Sequence, residues 1–178
     1  WYDFFLYATA AALVFPAAFF PESTPTMGLI LSFGTFAFGF IARPLGGILF
    51  GHWGDKIGRK KTLVIALILM GVASTLIGLL PTFATIGIAA PILLSILRFA
   101  QGLAIGGQWG GAMLLVTESA PDNQRGYYGA YAQAGAPVGV ILANTAFILT
   151  ISVASEDFFM EWGWRIPFLA SVVLIAIS

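Results

Sequence analysis

Between Gly51 and Lys61 the chain reads GHWGDKIGRKK, and four of its eight cations, Lys56, Arg59, Lys60 and Lys61, fall inside that one segment. The runs on either side are almost free of charge. The chain of 178 residues is 59% hydrophobic and 9% charged, with mean hydropathy +0.94, whereas soluble domains carry roughly 25% charged residues. A basic connector between two long apolar runs reads as a chain that crosses a bilayer, turns at its surface and crosses back.

Hydrocarbon about 30 Å thick takes about 20 residues of helix to cross. Apolar runs of that order recur near 1–20, 28–51, 62–80, 88–118, 127–152 and 164–178, the last incomplete. They are continuous rather than alternating over about ten residues, which selects helices over a membrane barrel. The expected fold class is therefore an all-α membrane protein. Trp1 starts inside a helical pattern without the basic leader of a signal peptide, so the first and last runs look cut from a longer protein.

Charge sets the orientation. Connectors 52–61 and 119–126 hold Lys56, Arg59, Lys60, Lys61 and Arg125. On the other side FPESTPT has Glu22 and no cation, PTFATIG has no charge, and SEDFFMEWGWR has three acids with Arg165 alone. Short cytoplasmic loops concentrate Lys and Arg, so both basic connectors are expected in the cytoplasm.

Some chemistries are excluded early. Without cysteine there is no disulfide or thiolate, and the single histidine, His52, cannot build a multi-histidine metal site. No nucleophile elbow, phosphate loop or zinc signature is present. No enzyme activity, metal, cofactor or nucleic-acid partner is expected.

Topology does not account for the glycines and the acid in the connector. Gly51, Gly54 and Gly58 permit close approach or a left-handed turn, and Asp55 lies where it could pair with Arg59. Here the segment resembles the loop between helices two and three of the major facilitator superfamily. That loop's pattern is glycine, three residues, aspartate, three residues, arginine and then basic residues, and Gly51, Asp55, Gly58, Arg59 and Lys60 match it. LRFAQGLAIGGQWGGAMLLVTESAPDNQRG is similar to the fourth helix and following loop, with Arg98 four residues before Gly102, and QAGAPVGV to the glycine–proline motif of the fifth. The combination of WYDF, ARPLGG, GGQWGGA, ESAP and WGWRIPF resembles the metabolite:proton symporter branch, which includes shikimate, osmolyte and dicarboxylate carriers.

The resemblance implies the amino-terminal six-helix half of a twelve-helix transporter of the bacterial inner membrane, rocking against a second half about a central site. It also implies a latch on the cytoplasmic face. Asp55 would face the other half, Arg59 would join Glu118 in a charge cluster, and Arg125 would extend it, with Gly51 and Gly58 shaping the loop. As solvated surface pairs alone, these charges would contribute at most about 1 kcal/mol each.

Charges within the spans point to cargo, because an ionisable group at membrane depth costs at least about 2.5–3.5 kcal/mol on insertion scales. Asp3, Arg43 and Arg98 are the candidates. Arg98, Gln101 and Gln108 share one helical face, beside a stripe of Gly102, Gly106 and Gly110 suited to a close helix contact. Gln133 and Asn144 share a side of the fifth span, where they are equally suited to interhelical bonds of about 0.6 kcal/mol. Asp3 and Tyr7 are one turn apart on the first.

Members of the branch carry an acid where this chain has Gln108, which cannot exchange a proton, leaving Asp3 as the protonation candidate. If Arg43 and Arg98 both face a cavity, two cations oppose one acid, and a carboxylate substrate would supply the missing charge. The expected function is proton symport of a small organic acid, with Arg98 as carboxylate clamp and protonation of Asp3 freeing Arg98 or a neighbour to engage substrate. A zwitterionic or neutral osmolyte, or a sensor on the same fold, is the alternative. Expected partners are the substrate, protons, the lipid bilayer and the second half of the protein.

Overall fold

The computed structural model describes residues 1–177, apart from the side chain of Leu174. The last residue of the sixth expected span, Ser178, lies outside them. Among the described residues every regular element is helical.

The first span is two pieces, α1 (Tyr2–Leu13) and α2 (Phe15–Phe19), broken at Val14. Pro16 explains the break: it has no N–H to return to the preceding turn, and its ring crowds the carbonyl there. The run expected over 1–20 is thus interrupted at Val14.

The second span, α3 (Pro25–Ile57), starts where Thr24 Oγ1 accepts from the Met27 amide and Pro25 takes the first helical position. Its 33 residues make a helix of about 50 Å. The helix runs past both ends of the expected span 28–51, and the expected connector 52–61 is helical except at Gly58. Residues 52–57 complete α3, and α4 (Arg59–Leu79) begins directly after Gly58. Nothing in HWGDKI breaks a helix once it leaves the bilayer. The turn is made by Gly58 alone, at φ +98°, a conformation open to glycine and strained for other residues.

A single turn, α5 (Phe83–Ile86), leads to α6 (Ala89–Ser119). The second basic connector holds a 3₁₀ turn, Asp122–Gln124, before α7 (Arg125–Val153), which carries Pro137 in its interior. The sixth span begins earlier than its expected start at 164. Ser155 caps α8 (Glu156–Phe158), a π-helical turn covers Phe159–Gly163, and α9 (Arg165–Leu169) and α10 (Ser171–Ile177) follow. Glu156 and Asp157 hid this start by their charge, yet acids in a first turn favour a helix by opposing its dipole.

Five of these stretches, Pro25–Ile57, Arg59–Leu79, Ala89–Ser119, Asp122–Val153 and Glu156–Ile177, are long and apolar enough to cross a membrane. The surface is correspondingly apolar: Ile30, Ile41 and Ile48 on α3 are 58%, 64% and 69% exposed, which suits lipid rather than water. Inside, Tyr7, Phe15, Phe19, Phe147, Trp164 and Phe168 form an aromatic core that ties the first, fifth and sixth spans together. The helices α3 and α6 make the closest contact in the molecule, and the charged site is built on it.

Candidate functional site

The contact of α3 with α6 is backbone against backbone. A Cβ at Gly102 would overlap the Gly39 carbonyl, and one at Gly106 would overlap the Arg43 carbonyl and stand 2.9 Å from the Gly47 nitrogen. Gly46 meets Leu103 in the same way, whereas Gly110, further along the stripe, has nothing within 4 Å. Such proximity lets α3 serve as the floor on which the α6 side chains rest.

Arg98 lies on that floor, its Nε 2.6 Å from where a Cβ of residue 39 would be, so only glycine leaves it room. Its side chain is fully buried. The guanidinium carbon stands 4.2 Å from the Phe4 ring centre, 4.4 Å from that of Tyr7 and 4.3 Å from that of Phe36. One nitrogen, Nη1, donates to Gln101 Oε1 at 2.9 Å, and Gln101 Nε2 in turn donates to Ser74 Oγ at 2.7 Å. Arg98 Nε and Nη2 have no hydrogen-bond acceptor. Ring faces attract the charge, each by about 0.5–2 kcal/mol, but they do not replace oxygen acceptors for those N–H groups.

The cage is itself braced. Thr35 Oγ1 donates its one proton to the Ser32 carbonyl at 2.6 Å, so the 2.6 Å contact between Tyr7 and Thr35 has the tyrosine hydroxyl as donor. Arg43 shares the cage wall. Its guanidinium carbon lies 4.4 Å from the Phe4 ring centre and 4.8 Å from that of Phe40, so Phe4 contacts both cations. Unlike Arg98, Arg43 is only half-buried.

The acid expected to oppose these arginines is elsewhere. Asp3 is buried and its Oδ1 accepts the Ser171 hydroxyl, joining the first span to the sixth. Among the described residues neither Arg43 nor Arg98 forms an ion pair. Asp3 and Arg98 thus have different partners among the described residues, and the Phe4 and Tyr7 rings lie over Arg98. Gln108 donates from Nε2 to the Ala66 carbonyl at 2.9 Å, holding α6 to α4. Asn144 Oδ1 accepts from Thr9 Oγ1 at 3.0 Å, while Gln133 is exposed on α7. Neither amide contacts Arg98.

At the Gly58 end Arg59 Nη1 stands 2.7 Å from Glu118 Oε1, with the side chains 34% and 53% exposed. Asp55 is exposed there, and Gly51, Gly54, Asp55 and Arg59 line one side of a cavity of about 350 Å³. Arg125 does not extend this pair. It bonds Asp122 at 2.7 Å, a partner three residues earlier.

Sequence reasoning found the cations and named Tyr7 and Gln101, which contact Arg98, but missed Phe4, Phe36 and Phe40. Phe4 and Tyr7 at i and i+3, and Phe36 and Phe40 at i and i+4, were visible as aromatic pairs on single helix faces. Aromatics are too common in membrane spans for that spacing to mark a cage.

A family model for sugar (and other) transporters matches residues 1–177. The chain belongs to this transporter family. Within the major facilitator superfamily, its relatives include the inner membrane metabolite transport protein YhjE of Escherichia coli K12, 52% identical over 99% of this chain and 40% of that protein. The shikimate transporter of the same organism is 51% identical over 98% and 40%, and the proline/betaine transporter of Salmonella typhimurium is 41% identical over 98% and 35%.

Among solved structures, the inward-open xylose transporter XylE of E. coli matches with a TM-score of 0.80 at 18% identity, over 99% of this chain and 42% of that one. That likeness shows the fold: a helical bundle forming one half of a major facilitator transporter. The chain spans about 40% of the length of the curated relatives named first. It is part of an integral membrane protein of the transporter family, whose named relatives are carriers and not enzymes.

Proposed function

We propose that this chain is the amino-terminal bundle of a bacterial inner-membrane carrier that moves a small organic acid together with protons by alternating access. One observation carries the reading. Among the described residues Arg43 and Arg98 meet at a single phenylalanine ring without an ion-paired acid, and Arg98 retains two N–H-bearing nitrogens with no acceptor. Two uncompensated cations in a low-dielectric bundle favour an anion by several kcal/mol over water alone. Shikimate, proline and betaine, named for the relatives above, differ in charge and shape but share a carboxylate.

Proton coupling is assigned to Asp3, the buried acid in the helices that carry the arginines and their cage. While ionised it accepts from Ser171; once protonated it can donate, and the bond between the first and sixth spans is rebuilt. The second, absent bundle closes the site from the other side, and the Gly58 connector lies in the cytoplasm, where Arg59 and Glu118 hold one of the two closed forms.

Reconstitution of the full-length protein in proteoliposomes tests this. Labelled shikimate should show saturable counterflow, and an inward proton gradient should raise its accumulation. Asp3→Asn should keep counterflow while losing the response to the gradient. Equal accumulation with and without the gradient would remove the symport; absence of counterflow for shikimate, proline and betaine alike would remove the carrier reading. A carrier for a zwitterion is the second reading, favoured by the proline/betaine relative, and it predicts that betaine outcompetes shikimate.

A further inference from the structure

We infer that the carboxylate contact is made by Arg43 and not by Arg98, in a recess of about 410 Å³ that accepts a monocarboxylate with a flat or compact apolar body. This rests on the proposed carrier function and assigns its substrate subsite. The recess is lined by Trp1, Arg43, Pro44, Ile105, Gly106 and Trp109, with Gly47 on its floor.

The first ground is access. Arg98 is covered entirely by residues of this chain, with Phe4, Tyr7 and Phe36 on its guanidinium and Gln101 on its edge. A second bundle could only add to that cover. For a ligand to touch Arg98, an aromatic ring with its own packing contacts would have to swing away. Arg43 needs no such change: it is half-buried and part of the recess wall.

The second ground is its unmet bonding. No hydrogen bond or ion pair engages the Arg43 side chain among the described residues; its neighbours are the faces of Phe4 and Phe40. A planar guanidinium stacked on rings keeps its N–H donors at its edge, which is the geometry for a bidentate carboxylate. Arg98 acts from behind Phe4. Its charge adds to the positive field at the recess without contact, and Gln101 and Ser74 hold it in place.

The rest of the wall defines the substrate. Trp109 is 54% exposed beside the recess and offers it an indole face, and Ile105, Pro44 and the two glycines offer no polar side chain. One reachable cation and apolar walls match a single carboxylate on a ring or short apolar frame. A dicarboxylate would leave its second charge against Ile105 and Trp109, which is costly. The volume is within the usual range of about 300–1,000 Å³ for small-molecule sites.

The test is equilibrium binding to the intact full-length transporter in lipid nanodiscs, with shikimate as acid probe and its methyl ester as uncharged counterpart. Arg43→Gln should weaken shikimate about tenfold or more and leave the ester within about twofold, because only the charged bond is lost. Arg43→Lys should recover part of the acid binding. Gly47→Leu, placed where a Cβ meets only ordinary contact, should block acid and ester alike by filling the recess. Indifference of acid binding to Arg43→Gln in a protein that does bind shikimate overturns this assignment and leaves the carrier function standing. Equal weakening of acid and ester by Arg43→Gln also overturns it, since that marks a structural role. No saturable binding of shikimate to the unaltered protein overturns the subsite and the organic-acid reading together.

Discussion

Arg98 and Arg59 are the same residue in two regions of one bundle, and their surroundings have almost nothing in common. Arg59 stands at the helix end, about a third exposed, with a carboxylate 2.7 Å away. Arg98 lies at membrane depth, fully buried, with three aromatic rings, one amide and no carboxylate. Where water reaches, an arginine and an acid can meet cheaply and separate cheaply, since solvent replaces what each loses. Where water does not reach, separation would strand two charges, and a permanent ion pair would leave no charge for cargo. The wet pair is suited to opening and closing. The dry cation is suited to holding a field.

The sharpest way to break this contrast is to part the helices that keep Arg98 dry. Gly106→Ala and Gly102→Ala each drive a methyl into the α3 backbone, and overpacking of that kind costs about 1–3 kcal/mol or more. The unfolding midpoint of the intact protein in detergent should fall clearly for both. Gly34→Ala is the control: nothing lies within 4 Å of its added methyl, and replacing a helical glycine there should stabilise by up to about 1 kcal/mol. An equal fall for all three would show that close approach is not what the α6 glycines provide.

Next in size is the removal of Arg98 itself. Arg98→Lys loses the planar stack and the bond to Gln101, at a cost of about 1.5–3 kcal/mol, whereas Arg98→Met removes an incompletely satisfied charge and should melt no earlier than the unaltered protein. Arg98→Met should abolish transport, whereas Arg98→Lys, which keeps the charge, should retain part of it. Arg98→Met that both unfolds and fails would mean the cation is structural, and the contrast with Arg59 would lose its meaning.

A smaller effect is expected at Gln108. Its amide donates to the Ala66 carbonyl, a bond a carboxylate cannot make but a protonated acid can. Gln108→Glu should destabilise by about 1–3 kcal/mol, and melting curves should show a larger loss at pH 8 than at pH 5. The smallest effect belongs to the wet end. A double-mutant cycle of Arg59→Ala and Glu118→Ala should give a coupling of no more than about 1 kcal/mol in unfolding, shrinking as salt rises. A coupling several times larger and insensitive to salt would place that pair in the same class as Arg98.

Different parts of this picture were legible in the sequence to different degrees. Spans two to five could be located because hydrocarbon thickness imposes a length on any apolar helix. The far end of span two and the start of span six could not, because HWGDKI and SEDFF are polar without being helix breakers, so these helices extend past the limits that hydropathy detects. A left-handed turn was readable at Gly51, Gly54 or Gly58, but not which of the three makes it. Pro16, Pro44 and Pro137 were each legible as a kink, but not which of them interrupts its helix, because proline is tolerated inside other spans of the same chain, as at Pro44 and Pro137.

The sequence by itself determined that this is a helical membrane bundle, that its charges are few, and that Asp3, Arg43 and Arg98 sit among apolar residues, for all of this follows from composition and spacing along one chain. Only the tertiary structure decided that Arg98 is sealed by Phe4, Tyr7 and Phe36, that Arg43 opens on a recess, and that Asp3 belongs to Ser171. The reason is that a helix face states what a residue could meet. Which of several nearby partners it does meet depends on how far two backbones approach, and here that distance is set by glycines on separate helices.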